Sequence, residues 1–141
     1  VINAIGAIAN GGKLMRPYIN AKLGPKVVRE VITPEAAEAV AKMMVSAVDK
    51  AEIAHVDGFT IAGKTGTAQV PNLVKGGYYD DRVNNTYVGF GPTKDPKFII
   101  LIKLNEPQGS PVAGLTVVPA FRNLAQFVLN YYNIAPDRVE K

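Results

Sequence analysis

The 141-residue sequence contains no cysteine, which removes disulfides, thiolate zinc sites and thiol catalysis together while leaving the redox compartment open. Its single histidine, His55, has no clustered carboxylates around it, so it reads as an exposed loop residue and no metal centre is expected. No stretch approaches the roughly 20 apolar residues of a membrane span. The longest candidate, Phe98 to Leu104, is strand-sized and carries Lys103. Serine is scarce too: Ser46 is followed by Ala47-Val48-Asp49 and Ser110 by Pro111-Val112-Ala113, so neither has a lysine three residues on. The net charge of +4 comes from 16 basic and 12 acidic residues, but they form no basic run and no platform with aromatics, so nucleic acid is not an expected partner. A mildly basic surface suits an anionic polymer or membrane surface equally well. The first residues, Val1 to Ala9, lack both an initiator methionine and a charged leader region, and the chain is expected to start inside a helix cut from a longer polypeptide.

What is present describes a folded unit. An apolar fraction of 48% with 20% charged residues is that of a packed domain, and the length suits a single one. Ile2, Ile5, Ile8 and Ala9 recur at helical spacing, and Asn10-Gly11-Gly12 ends that helix. Val27 to Ile32 reads as a short β segment. Thr33 is a natural N-cap, Pro34 suits the first helical position and Glu35 favours the first turn, which predicts a helix from Pro34 to about Val48. Its expected apolar stripe is Ala36, Val40, Met43, Met44 and Ala47.

Three strands follow: Thr60-Ile61-Ala62 leading into Lys64 to Val70, then Asn85 to Gly91, then Phe98 to Leu104. The Pro92 to Pro96 connector makes the last two an antiparallel hairpin. Ile99-Ile100-Leu101-Ile102 shows no polar alternation and is expected at the sheet centre, buried on both faces. A closing helix is predicted from about Thr116 to Tyr132 along Val117, Phe121, Leu124, Val128 and Leu129, with Pro119 in its first turn. Pro71 to Asn84 and Glu106 to Gly114 remain as polar loops able to flank a cleft, and Asp80-Asp81-Arg82 reads as a solvated turn.

One segment fits two motifs. Gly58 to Thr65 satisfies the phosphate-loop pattern G-x-x-x-x-G-K-[ST], which works only where a helix starts at the lysine and aims its N–H groups at phosphate. Here Phe59-Thr60-Ile61 favours a strand, and Gly66 and Pro71 fall where helix interior would be needed. A nucleotide site is the less favoured alternative. The second reading takes Lys64-Thr65-Gly66-Thr67-Ala68-Gln69 as a strand, with Thr65, Thr67 and Gln69 on one face. Two hydroxyls spaced by two can hold a carboxylate, Gly66 admits close approach of a ligand backbone, and a free N–H at Thr67 can donate to a developing oxyanion.

This is the K-T-G element found in serine β-lactamases and penicillin-binding proteins. Nearly the whole chain resembles the segment downstream of the S-x-N motif in class B penicillin-binding proteins, the peptidoglycan D,D-transpeptidases. The resemblance runs through Ala4 to Gly12 with Lys13-Leu14-Met15-Arg16-Pro17-Tyr18, the Ile32-Thr33-Pro34-Glu35 helix start, Val56 to Gln69, Asn85 to Pro92, and Ala113-Gly114 leading into Val118-Pro119-Ala120-Phe121. It departs at Asp49 to His55, where a Gly-Thr-Gly turn is expected ahead of the K-T-G strand.

The resemblance implies an α+β fold, a serine β-lactamase/transpeptidase-like domain whose five-stranded antiparallel sheet contributes three strands here, residues 1–141 forming its C-terminal part. It implies that Lys64 steers the substrate carboxylate, that Thr65 and Thr67 bind it beside Gly66 and Gln69, and that the Thr67 N–H completes the oxyanion hole. Tyr78 and Tyr79 join as candidate contacts, since the loop after this strand borders the cleft in the resembling proteins. The nucleophile is expected upstream of Val1, leaving this chain alone unable to acylate; a noncatalytic peptide- or β-lactam-binding module is the second reading. The implied partners are the D-Ala-D-Ala stem peptide, β-lactams and the missing N-terminal part, with self-association through an exposed sheet edge and no cofactor. The implied location is the outer face of the bacterial cytoplasmic membrane, to which an N-terminal segment anchors the parent.

Overall fold

The Thr33 hydroxyl accepts the Ala36 N–H at 3.2 Å, and the helix it caps, α2 (Pro34–Ala51), is the backbone of one layer of the molecule. The computed structural model describes residues 1–138. The chain opens on α1 (Ile2–Ala9), then pairs β1 (Lys13–Met15) with β2 (Val27–Glu30) in a small antiparallel sheet that the sequence reading did not anticipate beyond β2. After α2 come β3 (Ala62–Pro71), β4 (Tyr78–Gly91) and β5 (Phe98–Asn105), an antiparallel sheet in the order β3-β4-β5, and finally α3 (Ala113–Tyr131). The architecture is the expected α+β one.

Each face of the larger sheet has its own helix layer. Even-numbered Ala62 and Phe90 pack with Met44, Val40 and Ile5 of α2 and α1. Odd-numbered Ile61 and Tyr87 pack with Val117, Phe121 and Leu129 of α3. The register that sets Phe90 opposite Ile99 and Tyr87 opposite Ile102 keeps these two sets on opposite faces across the sheet.

That arrangement corrects the placement of β5. It is an edge strand, half-buried, with β4 at the centre. Its run of apolar residues arises because Ile100 and Ile102 face α3 while Ile99 faces α1 and α2; two covered faces remove polar alternation without any neighbour on the far edge.

The helices are longer than their sequence signals. α2 runs to Ala51, and its buried stripe is Ala37, Met44 and Val48, while Ala36, Met43 and Ala47 are exposed. The hydrophobic stripe is therefore rotated by one residue from the expected one, and of the methionine pair only Met44 is core. α3 begins at Ala113, which puts Pro119 inside the helix rather than in its first turn. Thr116 supports the early start by hydrogen-bonding back to the Val112 and Ala113 carbonyls. Ala125 takes the buried position expected of Leu124, which is exposed.

The expected loop from Pro71 to Asn84 is mostly strand. β4 reaches back to Tyr78, which pairs with Pro71, and only residues 72–77 remain as the turn. Asn72 organises it, its Oδ1 accepting from the Val74 and Lys75 N–H groups at 3.1 and 3.0 Å. Asp80-Asp81-Arg82 is consequently part of β4 rather than a turn.

Candidate active site

Because β3 has, among the described residues, a hydrogen-bonded neighbour on one side only, alternate residues along it direct their N–H and C=O groups away from β4. Lys64, Thr65, Thr67 and Gln69 are all exposed along this strand. The Lys64 ammonium donates to the Thr65 carbonyl at 2.7 Å. The register sets Thr65 opposite Tyr87 and Thr67 opposite Asn85, so Thr65 and Thr67 lie on the α3 side, and Lys64, opposite Val88, lies on the other.

Gly66 has a reason to be glycine that lies within the sheet. A Cβ there would meet the Thr86 Oγ1 at 2.5 Å, and that hydroxyl donates to the Gly66 carbonyl at 3.4 Å. The space that a side chain would occupy belongs to the neighbouring strand. Behind Thr67, Asn85 is fully buried and its Nδ2 donates to the Thr116 Oγ1 of α3 at 3.0 Å. Asn85 and Thr116 thus brace the strand pair from behind, a role that sequence reading did not assign. The available signal was a polar Asn84-Asn85-Thr86 run in a strand otherwise apolar at its C-terminal end.

The two candidate tyrosines separate. Tyr78 is exposed beside Pro71. Tyr79 is half-buried under the Arg82 guanidinium, 4.4 Å from ring centroid to Cζ. Arg82 in turn grips Glu106 with Nε at 2.5 Å and Nη2 at 2.8 Å. The hydrogen bond from Arg82 holds the Glu106 carboxyl below its ordinary range. Gln69 reaches the Tyr79 carbonyl at 3.5 Å, so Gln69, Tyr79, Arg82 and Glu106 form a connected group at the turn end of the sheet.

The phosphate-loop reading lacks its helix. Lys64 and Thr65 sit within a ten-residue strand, and Gly58, at φ +78°, offers its carbonyl to the Asp137 and Arg138 N–H groups. No helix starts at the lysine, as a phosphate loop requires, because Lys64 lies within β3. His55 also differs from expectation: it is half-buried, 3.9 Å from Asp49 and 3.6 Å from Asp57. Among the described residues no group of three or more His, Cys, Asp or Glu side chains could hold a metal ion, and no helix is long and apolar enough to cross a membrane.

Comparison with known proteins gives a consistent set of similarities. Residues 1–126 match the penicillin-binding protein transpeptidase domain. The chain is 38% identical to penicillin-binding protein PbpB of Mycolicibacterium smegmatis, over 76% of this chain and 18% of that protein. It is 32% identical to the probable peptidoglycan D,D-transpeptidase PenA of Neisseria flavescens, over 78% of this chain and 28% of that protein. Among solved structures it resembles the apo transpeptidase domain of penicillin-binding protein 3 from Burkholderia pseudomallei, with a TM-score of 0.82 and 28% identity over 98% of this chain and 43% of that one. It also resembles penicillin-binding protein 3 of Mycobacterium tuberculosis complexed with ampicillin, with a TM-score of 0.81 and 25% identity over 98% of this chain and 35% of that one. The chain spans less than a third of the length of either of these two curated relatives.

Proposed function

The chain belongs to the penicillin-binding protein transpeptidase family, and on that premise we propose that it is the C-terminal part of a peptidoglycan D,D-transpeptidase domain, supplying the binding and oxyanion wall of the active site. The observation that carries this reading is the position of Lys64-Thr65-Gly66-Thr67 on the open edge of β3. The Thr65 carbonyl accepts from the Lys64 side chain, which is consistent with odd-numbered residues directing their main-chain groups outward. Strand alternation then turns the Thr67 N–H outward as well.

The chemistry follows from that edge. A serine from the upstream S-x-x-K segment attacks the penultimate D-Ala carbonyl of a stem peptide, and the carbonyl oxygen acquires negative charge. The Thr67 N–H donates to it, worth a few kcal/mol for a well-placed donor of this kind. The Thr65 and Thr67 hydroxyls hold the terminal carboxylate, and the Lys64 charge steers it while favouring proton movement at the S-x-N serine. The D-Ala leaves, the acyl-enzyme forms, and an amine from a neighbouring strand takes the acyl group. Penicillin enters by the same route because it mimics D-Ala-D-Ala. Gln69 and Tyr78 border the cleft at the turn end, and Tyr79 supports Gln69 through its main-chain carbonyl. The open edge of β5 receives the strands of the N-terminal part, or a second copy when that part is absent. The complete protein works at the outer face of the bacterial cytoplasmic membrane.

A labelled penicillin tests the reading. The 141-residue chain alone acquires no covalent label, since neither Ser46 nor Ser110 has a lysine at the third following position. The complete parent acquires it on an upstream serine and loses it on Lys64→Ala. Labelling of the isolated chain would overturn the assignment of the nucleophile to the upstream part. A parent that binds penicillin reversibly but never covalently would establish the noncatalytic module instead.

A further inference from the structure

Glu106, the first residue after β5, is held at a φ of +47°, a region that residues other than glycine rarely adopt. Three contacts hold it there. Its N–H donates to the Val83 carbonyl at 3.0 Å, its carbonyl accepts from the Gln108 Nε2 at 3.3 Å, and its carboxylate takes both prongs of the Arg82 guanidinium. Backbone strain held in this way gathers at functional sites, where it fixes a segment in one arrangement.

The segment fixed here is the β5–α3 loop, residues 107–112, which has a second fastening at its far end. Thr116, in the first turn of α3, accepts from the buried Asn85 at 3.0 Å and donates to the Val112 carbonyl at 3.2 Å. Both fastenings stand on β4, where Val83 lies opposite Gln69 and Asn85 opposite Thr67. Gly114, just past the loop, shares a hollow with Thr65. The loop therefore runs beside the Thr65 to Gln69 stretch of β3. Between its ends it does not pack down: a hollow of about 380 Å³ separates it from Asp80 to Val83 of β4. With a hollow in place of a core beneath it, the loop is positioned by its two ends. Asn85 is fully buried, whereas Arg82 and Glu106 are partly exposed, so the Arg82–Glu106 end is the one that opens first.

We infer that Arg82 and Glu106 are positioning residues for substrate: their pairing holds the β5–α3 loop as a fixed wall beside Gln69, against which the part of the acyl donor upstream of its reacting carbonyl is bound. This rests on the transpeptidase reading. There the terminal carboxylate lies on the Thr65 and Thr67 hydroxyls and the reacting carbonyl at the Thr67 N–H, so the rest of the donor continues along β3 toward Gln69. Gln69 joins the same group, since its Nε2 donates to the Tyr79 carbonyl at 3.5 Å and the Arg82 guanidinium lies 4.4 Å over the Tyr79 ring. In this role neither residue touches the reacting atoms. They spare the donor the ordering of a loose loop on binding.

Two penicillins test this in the complete parent protein by stopped-flow, which separates binding from acylation. Benzylpenicillin carries an acyl side chain where the peptide upstream of the reacting carbonyl would lie; the bare penicillin nucleus keeps the carboxylate and the lactam carbonyl but has only an amine there. Glu106→Gln and Arg82→Gln are each expected to weaken benzylpenicillin binding about fivefold, the weight of a partly solvated bidentate pair, with the acylation step unchanged and the bare nucleus unaffected. The double variant loses no more than either single one, because the pair acts as one unit. Arg82→Lys, which keeps the charge without the fork, shows part of the loss and serves where a glutamine variant does not fold. Equal losses for both penicillins, additive losses in the double variant, or no loss overturn the inference and leave the pair a role in the fold alone. A parent acylated by neither penicillin overturns the transpeptidase reading, and this inference with it.

Discussion

Arg138 grips Asp49 with both arms of its guanidinium, Nη1 to Oδ1 at 2.6 Å and Nη2 to Oδ2 at 3.1 Å, joining the end of α2 to the end of the described chain. Beside it the Asp137 Oδ1 accepts the Thr60 N–H at 2.7 Å, and the Asp137 and Arg138 N–H groups share the Gly58 carbonyl. Gly58 and Thr60, which lead into β3, are thereby held by three hydrogen bonds to residues 137 and 138. The family match ends at residue 126, so Asp137 and Arg138 reach back from beyond the matched region to Asp49, Gly58 and Thr60 within it.

Loosening the clasp should lower stability modestly. Asp49 and Arg138 are each about a third exposed, so Asp49→Asn is expected to cost about 1 kcal/mol, in line with a bidentate but partly solvated pair. Asp137→Ala leaves the Thr60 N–H without its acceptor and should cost about 1–2 kcal/mol. Urea unfolding measures both, and hydrogen exchange at Thr60 should accelerate in the second variant; unchanged exchange there would remove Asp137 from the role of anchor.

Pro119 offers a stabilising change. It is exposed inside α3, where proline withholds an N–H from the helix ladder and crowds the carbonyl four residues back. Pro119→Ala restores that hydrogen bond and gains helix propensity, offset in part by the greater freedom of the unfolded chain. A net gain of about 1–2 kcal/mol is expected. A fall in the melting midpoint would mean that the restriction proline places on the unfolded chain outweighs the restored hydrogen bond.

The Arg82–Glu106 pair predicts an acid dependence of stability. The hydrogen bond from Arg82 holds the folded carboxyl below its ordinary range, so between the two pKa values the unfolded state binds the extra proton. The stabilisation is complete above the unfolded carboxyl pKa of about 4.3 and disappears as the pH falls through the depressed folded value. Glu106→Gln should therefore melt below the parent chain at neutral pH, with the gap closing on acidification. A gap independent of pH would assign the effect to lost packing.

Two substitutions at one residue separate the two roles proposed for Thr67 in the complete domain. Thr67→Val removes the hydroxyl and keeps the N–H, so it should weaken substrate and penicillin binding with little change in kcat. Thr67→Pro removes the N–H as well, at a place where an edge strand tolerates proline because the group faces outward. A further loss of about 10²–10³ in acylation rate is expected from the missing oxyanion donor. Equal rates for the two variants would move the donor elsewhere.

The legible parts of this protein were those governed by a few neighbouring residues. Thr33-Pro34-Glu35 announced α2 because capping and first-turn preferences act within four positions, and Gly11 and Gly12 ended α1 with the positive φ values expected of them. The three strands were legible in the sequence, and Lys64 to Gln69 was readable as a strand, which it is within β3. The resemblance to transpeptidases, carried by stretches in order along the chain, is matched by the family similarity over residues 1–126.

Tertiary structure decided everything that depends on distant partners. The β5 run of four apolar residues was compatible with a central strand and proved to be an edge one, since two helix layers can bury both faces of a strand that has only one neighbour. Tyr78 to Asn84 became strand because β3 lay ready to pair with it, against the turn preferences of its aspartates and asparagines. The rotated stripe of α2 and the early start of α3 were set by the surfaces they pack on. The pairing of Arg82 with Glu106 could not have been read from either residue alone. Local sequence thus determined the start of α2, the middle of each long strand and where Lys64-Thr65-Gly66-Thr67 lies, because those preferences are short-range; long-range packing determined how far the strands and helices extend, which edge stays open and which groups are buried beside it.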